Sequence, residues 1–175
     1  MKEIPPKILV LGIGNLLMGD EGVGVHFARA MAGEELPANV DVLEGGTGGF
    51  HLMEYFESYP LVLMVDATLD GRPAGEIRLV EPRFSSEFPK ALSTHDIGLK
   101  DLLEGLQILG RMPRIFLFTV SIDELQPMQL TLSEPVANAL PELIRRSKEL
   151  LIRLQQDSSF TSTTSSNGTG IPSAD

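Results

Sequence analysis

Three side chains are of types that work together on a metal ion or an attacking water: Glu21, Asp66 and His95. Glu21 sits in Gly12-Ile13-Gly14-Asn15-Leu16-Leu17-Met18-Gly19-Asp20-Glu21-Gly22-Val23-Gly24-Val25, which follows an apolar run beginning at Ile8. Asp66 ends the apolar run Leu61-Val62-Leu63-Met64-Val65, and His95 lies in Ser93-Thr94-His95-Asp96 ahead of a leucine-rich stretch. Two carboxylates and an imidazole form a hard-to-borderline donor set suited to zinc, nickel or iron. An ion held this way polarises a carbonyl and lowers the pKa of bound water. Each residue alone has a plainer reading, as a loop cap, a solvated turn residue or a helix cap. The combination, with glycines clearing space nearby, favours chemistry.

Other catalytic plans fit poorly. The chain has no cysteine, which removes thiolate nucleophiles, disulfides and cysteine-based zinc sites. It has three histidines. His26 is expected to be exposed on a helix, and His51 to be partly buried beside Phe50 and Leu52. Neither has an acid at a strand end beside it. There is no Gly-x-Ser-x-Gly elbow, no His-Glu-x-x-His helix and no phosphate loop ending in Gly-Lys-Ser/Thr. Gly12-Ile13-Gly14 begins like a dinucleotide fingerprint, but Leu17 stands at the third glycine position. Asp20 and Glu21 then lie where a pyrophosphate would approach and would repel it.

The elements that must position these residues alternate along the chain. Ile8–Ile13 reads as a buried strand, followed by a helix from about Gly22 to Ala32 with Val23, Phe27, Ala30 and Met31 on one side. Val40–Leu43 is a short strand running into Glu44-Gly45-Gly46-Thr47-Gly48-Gly49. A helix over Phe50–Tyr59 precedes the central strand Leu61–Asp66. Glu76–Glu81 reads as a strand too close to its predecessor for a crossover helix, hence antiparallel. Leu99, Leu102, Leu103 and Leu106 give a helix that Thr94 or Asp96 could cap. Ile115–Val120 is the fifth strand. Ser133-Glu134-Pro135 opens the last helix, which Pro141 is expected to kink or interrupt. The prediction is a three-layer α/β/α sandwich around a mostly parallel five-stranded twisted sheet with one antiparallel strand.

The chain of 175 residues suffices for one domain, expected over residues 1–156. Residues 157–175 are dominated by Ser, Thr, Gly and Asn and read as a disordered tail. A net charge of -10 argues against a nucleic-acid partner; it suits a partner with basic segments, though a solvated acidic surface is the plainer reading. No signal peptide precedes the first strand and no apolar run approaches the roughly 20 residues of a membrane span. The expectation is a cytoplasmic monomer.

At this point the residues resemble the hydrogenase maturation proteases, which process the large subunit of nickel-iron hydrogenases. The likeness rests on Gly12-Ile13-Gly14-Asn15-Leu16-Leu17 with Asp20-Glu21-Gly22-Val23-Gly24-Val25. It continues through Gly45-Gly46-Thr47, Asp66-Ala67, and His95 with Gly98-Leu99, covering about Ile8 to Leu154. The resemblance implies an endopeptidase that removes a C-terminal extension from the large-subunit precursor after nickel insertion. By position, the metal-binding residues it implies are Glu21, Asp66 and His95. The nickel would be the one already in the substrate, so the precursor supplies the cofactor. Either carboxylate would serve as base for the attacking water, and His95 would complete the site.

The chain departs from that pattern at Glu44, where relatives usually have Asp, which leaves a supporting role for Glu44 open. It departs again at Ser121-Ile122-Asp123-Glu124, where relatives commonly have glycine and proline; this loop would bear on partner choice. Two rival functions use the same residues: a non-catalytic checkpoint that grips a nickel-loaded partner, and a nucleotide-binding α/β protein built on Gly12 and Gly14.

Overall fold

The computed structural model describes residues 5–89 and 97–157. His95, the expected helix caps Thr94 and Asp96, and the Ser/Thr-rich segment from Ser158 lie outside the described residues. In chain order the principal elements are β1 (Ile8–Ile13), α1 (Val23–Ala32), β2 (Val40–Gly46), α2 (Met53–Ser58), β3 (Leu61–Thr68), β4 (Ile77–Val80), α3 (Ile97–Ile108), β5 (Arg114–Ser121) and α4 (Glu134–Gln156). Short 3-10 turns precede α1 at Gly19–Gly22 and α2 at Phe50–Leu52, and a third spans Ser85–Glu87.

The strands form one sheet in the order β2-β1-β3-β5-β4. All neighbours are parallel except β4, which runs antiparallel to β5. The short link after β3 forces that reversal, as its length predicts. Side chains alternate between the faces. On one face Ile8, Val10, Leu63, Val65, Phe116 and Phe118 pack with Phe27 and Met31 of α1 and Leu143, Leu150 and Leu151 of α4. On the other, Leu9, Leu11, Val62, Met64, Ile115 and Leu117 pack with Phe56 of α2 and Leu99, Leu102, Leu103 and Leu106 of α3. The two cores make the expected α/β/α sandwich.

Several boundaries differ from the sequence reading for tertiary reasons. β2 runs on to Gly46 because Gly12 and Ile13 continue to pair with Glu44 and Gly46 across a register shift. β3 runs past Asp66 to Thr68 because β5 supplies partners, Asp66 opposite Thr119 and Thr68 opposite Ser121. Pro141 does not interrupt α4, which is continuous from Glu134 to Gln156. Pro141 and Ala137, the residue whose carbonyl loses its helical partner, are both exposed, so water can satisfy that group.

Two tight contacts seat α1 over the sheet. A Cβ on Gly24 would lie 2.1 Å from the Ile13 carbonyl oxygen and 2.5 Å from that of Val65. A Cβ on Gly12 would lie 1.9 Å from the Gly24 carbonyl oxygen. Only glycine permits backbone to meet backbone this closely. Behind this contact, Asp20 ties the same loop to the start of α4. Its Oδ1 accepts from the Ser133 N–H at 2.7 Å and its Oδ2 from the Ser133 hydroxyl at 2.7 Å, while its own N–H donates to Gln126 Oε1 at 3.0 Å. Asp20 is 2 % exposed, so these bonds are shielded from water and replace its hydration.

Two stability effects are expected. Gly24→Ala should lower the unfolding free energy by about 2–4 kcal/mol, because backbone must move to admit the methyl group; a urea midpoint unchanged from wild type would contradict the contact. Asp20→Ala should lower it by about 1–3 kcal/mol through loss of the Ser133 bonds, measured the same way.

Candidate active site

Open α/β sheets bind ligands outside the carboxyl ends of two strands whose connections leave in opposite directions. Here β1 connects outward to β2, while the chain from β2 returns across β1 to reach β3. The crevice of this sheet is therefore at the carboxyl ends of β1 and β3. Glu21 follows β1 and Asp66 lies near the end of β3, so the topology delivers both acids to that place.

Asp66 is the first residue of β3 beyond its pairing with β1, whose last partner on this side is Gly12 opposite Val65. β3 thus outruns β1, and the loop after β1 takes the vacated position. Asp66 follows Met64 on the α2/α3 face and has no solvent exposure. Its Oδ1 accepts from the Ala67 N–H at 2.8 Å, which fixes the orientation of the carboxyl group.

Glu21 is carried by the 3-10 turn Gly19–Gly22, which packs against β3. It too has no solvent exposure. Gly14, at φ +151°, lets the loop fold back so closely that a Cβ there would lie 2.1 Å from the Glu21 carbonyl oxygen. Three residues on, Gly24 touches the Val65 carbonyl, one residue before Asp66. The adjacent acids of the motif thus differ in setting: Asp20 anchors the loop to Ser133, and Glu21 is fully buried in the turn that packs against β3. This buried acidic turn between β1 and α1 also removes the ground for a dinucleotide site, since a phosphate would meet carboxylates there.

His95 lies outside the described residues. The elements around its place in the chain are defined. α3 leads into β5, which is parallel to β3, so α3 begins at the carboxyl edge of the sheet. A Cβ on Gly48, in the loop after β2, would lie 3.3 Å from Leu99 Cβ, which places the first turn of α3 beside the carboxyl end of β2. Leu99 and Leu102 pack on the face to which Asp66 belongs. Among the described residues no group of three His, Cys, Asp or Glu side chains could hold a metal.

Sequence reasoning missed a polar row beside Asp66. Thr68, Thr119 and Ser121 are each at most 2 % exposed. By alternation they share the α2/α3 face with Asp66, and the register sets Thr119 opposite Asp66 and Ser121 opposite Thr68. The signal was present in the hydroxyl residues that break the otherwise apolar inward pattern of β5.

The environment of Glu44 is defined, and the expectations for His51 and His26 are corrected. Glu44 lies on the other face of the sheet, where Arg29 of α1 donates from Nε to both its carboxylate oxygens at 3.1 Å; it pairs with a surface arginine and does not support Asp66. His51 is exposed, because it lies in the 3-10 turn before α2 with only Leu52 turned inward. His26 is only half-exposed, and its Nε2 is buried without a hydrogen-bond partner among the described residues.

This geometry agrees with the kinship of the chain. The sequence model of the hydrogenase maturation protease family (HycI) matches residues 25–149. The hydrogenase expression/formation protein HupD of Rhizobium leguminosarum is 31% identical over 173 residues, spanning 95% of this chain and 83% of its own length. The hydrogenase 2 maturation protease of Escherichia coli is 32% identical over 125 residues, 69% of this chain and 76% of its own. The hydrogenase maturating endopeptidase HybD of E. coli superposes with a TM-score of 0.76 at 28% identity, covering 84% of this chain and 93% of that one. The alternating strands, the glycine-seated acidic turn and these relatives lead to one assignment: the chain belongs to the hydrogenase maturation proteases.

Proposed function

We propose that this protease cuts the C-terminal extension from a nickel-loaded precursor of a nickel-iron hydrogenase large subunit, and that it recognises the substrate through the nickel. The observation that carries this reading is the pair Glu21 and Asp66, two carboxylates without solvent exposure at the crevice of the sheet. Carboxylate oxygens held at this edge are donors that a divalent ion presented by the substrate would meet. Oxygen donors from Glu21 and Asp66 with an imidazole nitrogen from His95 suit nickel. Three protein donors also leave coordination positions for ligands that the precursor retains.

The chemistry follows from this arrangement. One carboxylate takes a proton from water as the oxygen attacks the scissile carbonyl carbon. The tetrahedral centre then collapses with cleavage of the C–N bond, and the proton passes to the leaving amine. Nickel brought by the substrate and held by Glu21, Asp66 and His95 would supply Lewis-acid stabilisation of the oxyanion, an effect strengthened where water is excluded. A precursor without nickel brings no cation to the two acids and lacks that attraction, so the affinity difference between loaded and unloaded precursor sets the discrimination.

Purified precursor, loaded or unloaded, should be mixed with the protein and its mass followed. Loss of the C-terminal extension is expected only with nickel. Glu21→Gln, Asp66→Asn and His95→Ala should each slow that loss by about a hundredfold or more while the circular dichroism spectrum stays that of wild type. Normal processing by all three variants, or equal cutting of unloaded precursor, would refute the assignment.

A further inference from the structure

A second surface adjoins the crevice. Leu17, in the loop that carries Glu21, is 53% exposed, and Met128 and Leu130, in the segment between β5 and α4, are 84% and 61% exposed. The two segments are stitched together. Met18 and Gln129 form a parallel bridge, and the Gly19 N–H donates to the Gln129 carbonyl at 2.8 Å. Gln126 and Ser133 are held by Asp20 on either side. Met128 is the one non-glycine residue at positive φ among those described, at 62°. Such backbone is unfavourable for a side-chain-bearing residue and persists where surrounding contacts impose it. Here the constraint holds a large apolar side chain out in solvent beside the site.

We infer that Leu17, Met128 and Leu130 form a docking ridge for an apolar, basic segment of the precursor polypeptide; this rests on the processing reading above. The ridge is built on loops already pinned at three points, so little ordering is lost when a partner binds. Its charge surroundings define the partner. Asp123 and Glu124 are exposed on the same connection and Glu134 at the first position of α4, and the whole chain carries -10. Two copies of this surface would repel each other, whereas a basic segment is drawn to it. The chain's own C-terminal segment is a poor occupant. Ser158 to Asp175 contains no lysine or arginine to meet the acidic surface, and only Phe160 and Ile171 as large apolar side chains.

The test is the affinity of nickel-loaded precursor for immobilised protein, by interferometry, in a Glu21→Gln background so that binding is read without turnover. Adding Met128→Asp and Leu130→Asp together should weaken binding about tenfold or more, with a melting temperature within a few degrees of the parent, since both side chains are exposed. Raising the salt concentration should weaken the parent's binding through the acidic rim. Unchanged affinity overturns the ridge. So does a parent dimer in sedimentation that the two substitutions dissolve, or affinity that rises when residues 158–175 are deleted. The processing reading is judged separately by the mass of precursor incubated with wild-type protein. A wild type that binds without cutting sinks that reading, while the affinity ratio still decides the ridge.

Discussion

Gly12 and Gly24 meet with no room for a methyl group between them, and the site depends on that contact. It sets the start of α1 directly against the ends of β1 and β3. The turn just before α1 is thereby held over β3, in the space that opens where β1 stops pairing and β3 continues. This backbone packing brings the turn that carries Glu21 against β3, the strand that carries Asp66. The glycines, the β3 extension and the Asp20 bonds to Ser133 together fix that turn over the sheet.

Much of this was legible in the chain. Continuous apolar runs mark β1, β3 and β5, and the short link after β3 marks β4 as antiparallel. The glycine-bracketed acids and the acid near the end of β3 mark the crevice. What was not legible depends on contacts between residues distant in sequence. Asp20 and Glu21 are neighbours of the same charge, and only Ser133, far along the chain, distinguishes the anchor from the crevice acid. The sequence leaves a supporting role for Glu44 open, because related sequences usually have Asp at that position. The pleat sends it to the α1 face, where Arg29 meets it. The hydroxyls of Thr68, Thr119 and Ser121 gain meaning only once the register of β3 on β5 sets them beside Asp66.

The loops at the carboxyl edge divide into two kinds. Those after β1 and β5 are fastened to each other by backbone and carboxylate hydrogen bonds, and they present apolar side chains outward. The loop after β2 instead lies against the first turn of α3 through Gly48 and Leu99. A protease that must recognise one folded partner gains from this division. On the function proposed above, the fixed wall would select the polypeptide and the acids next to it would sense its metal.

The most direct measurement is X-ray absorption at the nickel edge, on loaded precursor alone and on the freeze-quenched complex before cleavage. The account predicts that complex formation adds oxygen or nitrogen donors at bonding distance, roughly 2.0–2.2 Å, and that Asp66→Asn protein fails to add them. A nickel spectrum that stays the same when the complex forms would contradict the claim that these carboxylates grip the substrate's ion.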